Sequence, residues 1–361
     1  MASFWNGRIQ FSVFGEADGP AIGVTVDDLP PGEYVDTDAL REFMSRRLIG
    51  DDLNISRGGE QPSILSGVRG SRTTGAPLMA LIRNNEHIPD EGRNVPRLAR
   101  PGNADYTGTM RYKGFNDVRH DGHLSRKLLA PLIFAGAVCG QILERRSIYT
   151  GAHIYSLHNI KDTPFDGINI TRDDLVKIRK KPFPVINDKK GLRMQNDIET
   201  AANAGDSLGG VIEAAVVNLP AGIGSPMFDG VENVISRLIF GIPLVSGIEF
   251  GAGFTAAKML GSQFNDEFYA DDHGHLKTRT NNHGGVLGGI TSGMPLVVRV
   301  ALRPSPDMGR SVNAVDCSTL ENIVTGENNS AVSCVVPSYV PAIEAAINIA
   351  VLSYMIDYPN F

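Results

Sequence analysis

Hydrophobic and polar residues alternate in four segments of the chain, and glycine or proline lies at their ends. The segments are residues 22–29, 78–83, 211–219 and 296–302. Alternation with a period of two between turn-forming residues is typical of β-strands with one buried face. The pattern therefore predicts two strands in the N-terminal half of the chain and two in the C-terminal half.

Two other stretches, residues 128–143 and 340–356, are apolar almost throughout. Both are shorter than the roughly 20 residues that span a membrane, and they contain Pro131 and Glu344. We expect buried core helices and no membrane segment. Strands followed by a long helix, without regular strand–helix alternation, favour an α+β fold with antiparallel sheets around core helices over a doubly wound parallel sheet.

Two motifs recur in the same order along the chain. Residues 19–32 match residues 209–222, which share the Leu-Pro-x-Gly ending, and residues 67–78 match residues 285–296 at identical spacing. An Arg-Pro pair and an apolar stretch follow in each case. We predict a single domain, residues 1–361, with an internal duplication whose halves are approximately residues 1–150 and 191–361. The polar segment 162–190 is expected to be an exposed excursion between them.

Charge and cysteine content narrow the class of protein. The 361 residues include 34 basic and 40 acidic side chains, with a net charge of -6, and this balance argues against nucleic-acid or membrane-surface binding. The N-terminal residues lack the pattern of a secretory signal, so the expected location is the cytoplasm. Three separate cysteines give neither a disulfide framework nor a structural metal site.

Several motifs suggest chemistry that their context does not support. Residues 251–256 form a Gly-x-Gly-x-x-Ala run, but no second parallel strand follows, as a dinucleotide-binding fold requires. The pairs His120/His123 and His273/His275 lack a third metal ligand and are better explained as loop residues.

Arginines beside glycine-rich turns suit an anionic ligand, because guanidinium groups bind phosphates and carboxylates in bidentate fashion.

Seven motifs lie in order along nearly the whole chain, and they begin at Phe14, Ile64, Arg100, Gly205, Gly247, Asn281 and Val340. Taken together, these motifs resemble the chorismate synthase family. The resemblance implies a β-α-β sandwich with internal two-fold repetition, assembled as a homotetramer. It also implies a reaction in which reduced FMN assists the 1,4-anti elimination of phosphate from a small anionic cyclic substrate, 5-enolpyruvylshikimate-3-phosphate.

Some positions that bind ligands in the family are retained here. The resemblance implies substrate-binding roles for Arg46 and Arg47, which remain from an arginine-rich turn, and for Arg126, which matches an arginine at the start of the family's central helix. Gly288 corresponds to a flavin-binding glycine. The family's Lys-Pro-Thr flavin segment is Arg303, Pro304 and Ser305 here, with the positive charge and the hydroxyl kept.

The catalytic positions differ. Asp18 and Asn103 stand where the family has its two catalytic histidines, and residues 330–333 replace an Arg-His-Asp-Pro segment. Further changes place Ser246 at a lysine position and Ser338 at an arginine position. Asparagine cannot exchange a proton near neutral pH, and an aspartate repels a leaving phosphate.

Three hypotheses follow from these substitutions. The main one is a divergent homologue with a remodelled pocket for FMN and an anionic cyclic substrate, inefficient in the family's elimination, with Asp18 and Asn103 as new site residues. The alternatives are a genuine chorismate synthase and a non-catalytic oligomeric binding or regulatory protein.

Overall fold

The computed structural model describes residues 3–48, 61–84, 96–326 and 331–358. They belong to two compact units. Unit 1 draws on Met1–Ala135, Gln195–Leu208 and Pro304–Val335, and unit 2 on Gly136–Met194, Gly209–Arg303 and Val336–Phe361.

The described residues contain strands and helices in mixed order. The strands are β1 (Ser3–Asn6), β2 (Gln10–Gly15), β3 (Ala21–Asp27), β4 (Pro62–Ser66), β5 (Val68–Arg69), β6 (Arg72–Thr73), β7 (Leu78–Arg83), β8 (Leu98–Ala99), β9 (Tyr149–Leu157), β10 (Ile160–Lys161), β11 (Gly210–Val217), β12 (Val245–Phe250), β13 (Phe268–Ala270), β14 (Leu276–Thr278), β15 (Val286–Leu287), β16 (Ile290–Thr291), β17 (Leu296–Leu302), β18 (Asn313–Asp316) and β19 (Asn322–Val324). The α-helices are α1 (Thr37–Ser45), α2 (Asp105–Arg111), α3 (Leu129–Glu144), α4 (Arg172–Arg179), α5 (Asp188–Asn203), α6 (Val231–Ile239), α7 (Gly261–Phe264) and α8 (Val336–Met355). Short 3₁₀ segments lie at Arg119–Leu124, Arg126–Leu128, Met227–Asp229 and Gly253–Lys258.

Unit 1 is built on an antiparallel sheet of five strands in the order β1-β2-β3-β7-β4. Alternate residues of β3, among them Val24 and Val26, are buried because successive side chains point to opposite faces of a strand. Strands β2 and β3 pair as far as Gly15 and Ile22, so residues 16–20 form a short loop at the end of the pair. A second small sheet has the order β19-β18-β8.

Unit 2 has its own antiparallel sheet of five strands in the order β10-β9-β11-β17-β12. The sheets are antiparallel and the α-helices do not alternate regularly with the strands, so the predicted α+β class is confirmed. All four predicted strands are present. Two of them end earlier than expected, because Asp28 and Asn218 adopt left-handed backbone angles, with φ of 61° and 62°.

The two copies of the sequence motif make the same local hydrogen bonds. Thr73 Oγ1 donates to the Pro30 carbonyl oxygen over 2.6 Å, and Thr291 Oγ1 donates to the Pro220 carbonyl oxygen, also over 2.6 Å. In each copy a short hairpin, β5–β6 or β15–β16, precedes the next long strand. This likeness supports the proposal of an internal duplication.

Helix α8 is the core helix predicted near the C-terminus. It has 20 residues because it begins at Val336, before the predicted start at residue 340. The sequence argument that this helix is too short to span a membrane therefore does not hold. Its most apolar window is 100% buried inside the protein, as in the core of a water-soluble fold, and that of residues 119–144, which include α3, is 72% buried. The Glu344 carboxylate within α8 accepts the Ala152 N–H over 2.9 Å, which explains a charge in this core helix.

The prediction of an exposed excursion at residues 162–190 is wrong for its apolar residues. Phe165, Ile170, Leu175 and Ile178 form a buried cluster with apolar residues of β11 and β17. Helix α4 presents Leu175 and Ile178 to this cluster, while Thr171 and Asp174 form a capping box at its N-terminus. Polar composition misled the prediction because a single helical stripe of apolar residues is sufficient to bury one face.

Candidate active site

Asp18 lies in unit 1, in the loop between β2 and β3, and is almost fully buried. The loop is held by its backbone: the Ala17 N–H donates to the Gly122 carbonyl oxygen over 3.0 Å, and the Asn84 side-chain amide donates to the carbonyl oxygens of Ala17 and Gly19. Asp18 is 3% exposed. A carboxylate at this depth requires a polar partner.

His120 supplies that partner from a distant part of the sequence. Its Nδ1 lies 2.9 Å and 3.0 Å from the two carboxylate oxygens of Asp18. The Asp18 side chain is 4% exposed, whereas that of His120 is 69% exposed. The proton-handling side chains are therefore not absent from this position, as the sequence indicated, because an imidazole from another loop contacts the substituted residue.

Arg100 connects the two substituted positions. Its Nε and Nη2 donate to the carboxylate of Asp105 over 2.8 Å and 2.9 Å, and Nη2 also donates to Asp121 Oδ1 over 2.7 Å. Asn103, in the turn before α2, donates its backbone N–H to the Arg100 carbonyl oxygen over 3.3 Å. The network thus runs from Asn103 through Arg100 and Asp121 to the residue next to Asp121, His120.

The charged groups in this network change one another's pKa values. Hydrogen bonding by Asp105 raises the pKa of Arg100, so this guanidinium stays charged. Burial raises the pKa of Asp121, and Arg100 partly opposes the change. On the other side of His120, the Arg119 guanidinium donates to both oxygens of Asp117 and lowers the pKa of that carboxyl group. Ion pairs therefore flank His120 on both sides.

Two further side chains reach the loop of Asp18. The Lys127 ammonium donates to the Ala17 carbonyl oxygen over 3.1 Å, which places a cation beside Asp18. His123 Nδ1 lies 2.7 Å from the Gly15 carbonyl oxygen and donates to it, and the second ring nitrogen makes a hydrogen bond of 2.7 Å with the Ser3 hydroxyl. The contacts of His123 hold the chain in place, while Lys127 adds positive charge.

A cavity of about 460 Å³ lies beside this network in unit 1. Asp117, Asp121 and His123 line it on the side of the network, and Glu16 adds a third carboxylate. Aromatic rings of Phe14, Tyr112 and Phe115 are also in its wall. The cavity can take a ring-shaped ligand with polar substituents.

The predicted substrate arginines are placed as follows. Arg46 caps the C-terminus of α1, and its guanidinium lies 5.1 Å from the centre of the Phe43 ring. Arg47 follows it and is 3% exposed. Arg126 begins a short 3₁₀ segment before α3 and is half-buried. Their role in binding substrate stays a prediction.

The predicted flavin positions lie in two segments. In unit 2, Gly288 is at the exposed turn between β15 and β16, with φ of 62° and no atom within 4 Å of the place where a Cβ would stand. Arg303 follows β17 and donates its N–H to the Leu244 carbonyl oxygen. In unit 1, Pro304 is exposed and Ser305 is buried, where the Ser305 carbonyl oxygen accepts from the Ser207 hydroxyl over 2.6 Å.

The remaining substituted positions are structurally diverse. Val332 is buried in unit 1 and donates its N–H to the Asp307 carbonyl oxygen, and Ser338 is buried in α8. Ser246 is exposed on β12. Ser330 lies outside the described residues.

Unit 2 contains a second polar network, in which His153, Glu213 and Asp162 are buried and Arg299 is half-buried. His153 Nε2 lies 3.0 Å from Glu213 Oε2, and its Nδ1 lies 3.5 Å from Asp162 Oδ2. Arg299 Nε donates to Glu213 Oε1 over 2.8 Å. Burial acts to lower the pKa of His153, but the two carboxylates outweigh it and raise that pKa; burial acts to raise the pKa of Glu213, but His153 lowers it. The network is a buried ion cluster that stabilises the sheet.

Sequence reasoning missed most of the unit 1 network. Arg100 and Arg119 were identified only as arginines beside turns, and His120 as a loop histidine whose presence beside the substituted positions would contradict the hypothesis of lost activity. The roles of Asp105, Asp117 and Lys127 carried no recognisable signal. A usable signal was the run from Asp117 to Gly122, in which every second residue is charged and the last is glycine.

Comparison with known proteins gives one consistent result. Residues 9–356 match the family model for chorismate synthase. Chorismate synthase of Thermococcus kodakarensis is 36% identical over 353 residues, which cover 96% of both chains. That of Lancefieldella parvula is 32% identical and covers 100% of this chain and 98% of its own. A crystal structure of a chorismate synthase superposes with a TM-score of 0.76 at 24% identity, covering 97% of this chain and 92% of the other.

Proposed function

The chain belongs to the chorismate synthase family, and on that premise we propose that it is a carbon–oxygen lyase that catalyses the family's reaction. The reaction is the 1,4-anti elimination of phosphate from 5-enolpyruvylshikimate-3-phosphate in the shikimate pathway. Membership of the family favours the alternative hypothesis, a genuine chorismate synthase, over the main hypothesis from the sequence, a remodelled and inefficient homologue.

One observation carries the proposal. The His120 ring contacts the carboxylate of Asp18, 2.9 Å away, so an imidazole lies beside the residue that we assign to the family's histidine position. The hypothesis of lost activity depended on the absence of such a group. The relatives that cover nearly the whole chain are named chorismate synthase, which agrees with the proposal.

The elimination makes definite demands on the protein. One C–O bond and one C–H bond of the substrate ring break and one C=C bond forms, phosphate leaves with the C–O electron pair, and the ring proton is released. The protein must stabilise negative charge on the departing phosphate. Lys127, beside the loop of Asp18, and Arg126, one residue before it, are cations suited to this task.

FMN is part of the proposal. When bound, reduced FMN supplies the transient electron that the family's reaction uses. Two residues of unit 2 support this part of the proposal: Gly288 leaves an open, exposed backbone turn, and Arg303 carries a positive charge of the kind that suits the phosphate of the cofactor.

We also propose a cytoplasmic homotetramer. Unit 2 exposes large apolar side chains that a single copy leaves in water, including Phe228 at 86%, Met227 at 80% and Phe254 at 82%. Clustered exposed apolar side chains are typical of surfaces that associate. Phe228 and Met227 lie together in one turn before α6, so this turn is our candidate contact.

The direct test is an anaerobic assay of the purified protein with chemically reduced FMN and 5-enolpyruvylshikimate-3-phosphate. We expect inorganic phosphate and chorismate to appear in equal amounts, measured by a colorimetric phosphate assay and by chromatography. Reactions without FMN, and with FMN left oxidised, are the controls and should give neither product.

Absence of both products would refute the proposed activity if FMN binding is demonstrated in the same preparation, for example by quenching of flavin fluorescence. That result would favour the hypothesis of a remodelled homologue. Absence of flavin binding as well would favour the non-catalytic binding or regulatory protein.

A further inference from the structure

We infer that His120 is the acid–base histidine of this chain, that Asp18 orients its ring, and that Arg100, acting through Asp121, is a positioning residue for the loop that carries it. The inference rests on the proposed function and deepens it. A catalytic group that the family places in the loop after β2 is here supplied by a distant loop, at a separation of 102 residues in the sequence.

The contact with Asp18 fixes which ring nitrogen can react. An ionised carboxylate only accepts hydrogen bonds, so Nδ1 of His120 carries the proton that it shares with Asp18. The side chain of His120 is 69% exposed as a whole, whereas that of Asp18 is 4% exposed. A buried carboxylate bonded to one ring nitrogen orients a histidine and leaves the other nitrogen, here Nε2, for proton transfer.

The backbone of the loop shows that the ring position is imposed. His120, Asp121 and Gly122 have consecutive φ values of 43°, 66° and 52°. Two of these residues are not glycine, and left-handed backbone is strained for them. Strain of this kind persists only where surrounding contacts hold it, and it is concentrated at functional sites.

The contacts that hold the loop lie on both sides of His120. Before it, Arg119 and Asp117 form a bidentate ion pair. After it, Asp121 accepts from Arg100, which is itself fixed by two hydrogen bonds to Asp105. The Ala17 N–H then joins Gly122 to the loop of Asp18. Removing Arg100 would release one side of the loop and free the ring from Asp18.

The step assigned to His120 is one proton transfer. As the C–O bond of the substrate breaks with its electron pair on the phosphate oxygen, the Nε2 proton of the imidazolium passes to that oxygen, and the ring regains a proton from water. No net oxidation or reduction occurs at this step. The Lys127 ammonium, beside the loop of Asp18, stabilises the departing anion.

The variant His120→Gly separates this role from a structural one. Glycine relieves the backbone strain but leaves the buried Asp18 carboxylate with one partner fewer, so we expect a lower midpoint of urea unfolding in a protein that still folds. In that folded protein kcat should fall about 10²- to 10⁴-fold, with KM little altered. Added imidazole should restore part of the lost kcat. The matched control is His158→Gly: His158 has φ of 48° in an exposed turn of unit 2, and its variant should keep full activity.

The positioning role of Arg100 has a separate test. We expect Arg100→Gln to lower kcat with little change in KM, and Arg100→Lys to restore part of the loss. The control is Arg41→Gln, which removes an exposed ion pair with Asp38 on α1 and should change neither constant. If Arg100→Gln lowers stability but leaves kcat unchanged in the folded protein, the positioning role is wrong.

A spectroscopic measurement keeps the inference testable if the wild-type protein proves inactive. Long-range ¹H–¹⁵N correlation should show the His120 proton on Nδ1, sensitive to Asp18→Asn and to Arg100→Gln, and added inorganic phosphate should shift the Nε2 resonance. An inactive protein with these signals would refute the proposed function and support the His120–Asp18 pair. A proton on Nε2 alone, or no response to phosphate, would overturn the inference whatever the activity.

Discussion

At the residue scale, the candidate site shows how far a substituted position can mislead. Ordered motifs predict that Asp18 and Asn103 stand at the family's histidine positions, and this assignment stays a prediction. His120 was named from the sequence as a histidine that could lie beside them, but its contact with Asp18 could not be derived, because it joins residues 102 positions apart and depends on left-handed backbone at three successive residues. A sequence motif shows which side chains are present, whereas the backbone geometry determines which of them come into contact.

The loop that carries His120 depends on Gly122. A Cβ at residue 122 would lie 2.2 Å from the Asp117 carbonyl oxygen, so Gly122→Ala should displace the loop. We expect a loss of stability of about 2–4 kcal/mol, from left-handed strain and overpacking together, and a loss of activity. Urea unfolding and the phosphate assay measure the two effects.

Gly70→Ala is the control for that variant. Gly70 has φ of 56°, close to the 52° of Gly122, but no atom lies within 4 Å of the point that an added Cβ would occupy. Alanine there should cost only about 1–2 kcal/mol and leave activity intact. Equal losses in the two variants would show that Asp117 does not restrict the loop.

At the element scale, hydrophobic pattern predicted the elements better than their ends. Strands β7 and β17 match their predicted ranges, because their alternation runs from end to end. The ends of β3 and β11 differ because Asp28 and Asn218 turn the chain before the alternation stops. Helix α4 was missed because only a narrow stripe of it is apolar.

Close packing of α8 against Gly136 of α3 gives a prediction at this scale. A Cβ at Gly136 would lie 2.3 Å from Ala345, and Asn348 Nδ2 donates to the Gly136 carbonyl oxygen. Gly136→Ala should therefore destabilise the protein by about 1–3 kcal/mol, although alanine favours helix. Urea unfolding would give the change.

Gly261→Ala in α7 provides the comparison, since no atom lies within 4 Å of the added carbon. We expect this variant to be neutral or more stable by up to about 1 kcal/mol. A stabilising effect of Gly136→Ala as well would contradict the close approach of the two helices.

At the scale of the whole molecule, composition and motif order predicted the fold class, and neither could locate the charges that stabilise it. The cluster of His153, Glu213, Asp162 and Arg299 is buried in unit 2, yet its members are spread over three strands and a loop. Nothing in the local sequence around His153 distinguishes it from an exposed histidine. Burial of such groups becomes apparent only when the strands are paired.

This cluster predicts how stability depends on pH. The folded pKa of His153 lies above its ordinary value of 6.5, so its contribution is complete below that value and is lost as pH rises through the folded pKa. The lowered pKa values of Glu213 and Asp162 mean that their contribution is complete above their ordinary values and is lost as pH falls. Stability should therefore be greatest in mildly acidic to neutral solution.

The variant His153→Gln tests the alkaline side of this dependence. We expect it to lower the free energy of unfolding by about 3–5 kcal/mol at pH 6, because it leaves a buried carboxylate with one partner fewer. The difference from the wild-type protein should shrink as pH rises. Urea unfolding across a pH series measures it, and a difference that is constant with pH would show that His153 is neutral in the folded protein.

The proposed homotetramer gives a second prediction at this scale. Light scattering after gel filtration should give about four times the mass of one chain. Phe228→Asp should produce smaller species, because a charge opposes burial of the exposed turn before α6. Phe115→Asp, at an equally exposed residue of unit 1, is the control for a general effect of added charge. A wild-type monomer would rule out the assembly.

The paired threonines, Thr73 and Thr291, have a consequence for how this protein can change. Each hydroxyl reaches back to the carbonyl of a proline and joins two segments of its own half of the chain. Residues 18, 103 and 120 make neither of these hydrogen bonds, so new chemistry can be selected there while both bonds stay intact. A combinatorial library limited to those three positions would explore catalytic variation while the threonine hydrogen bonds hold the backbone of each half.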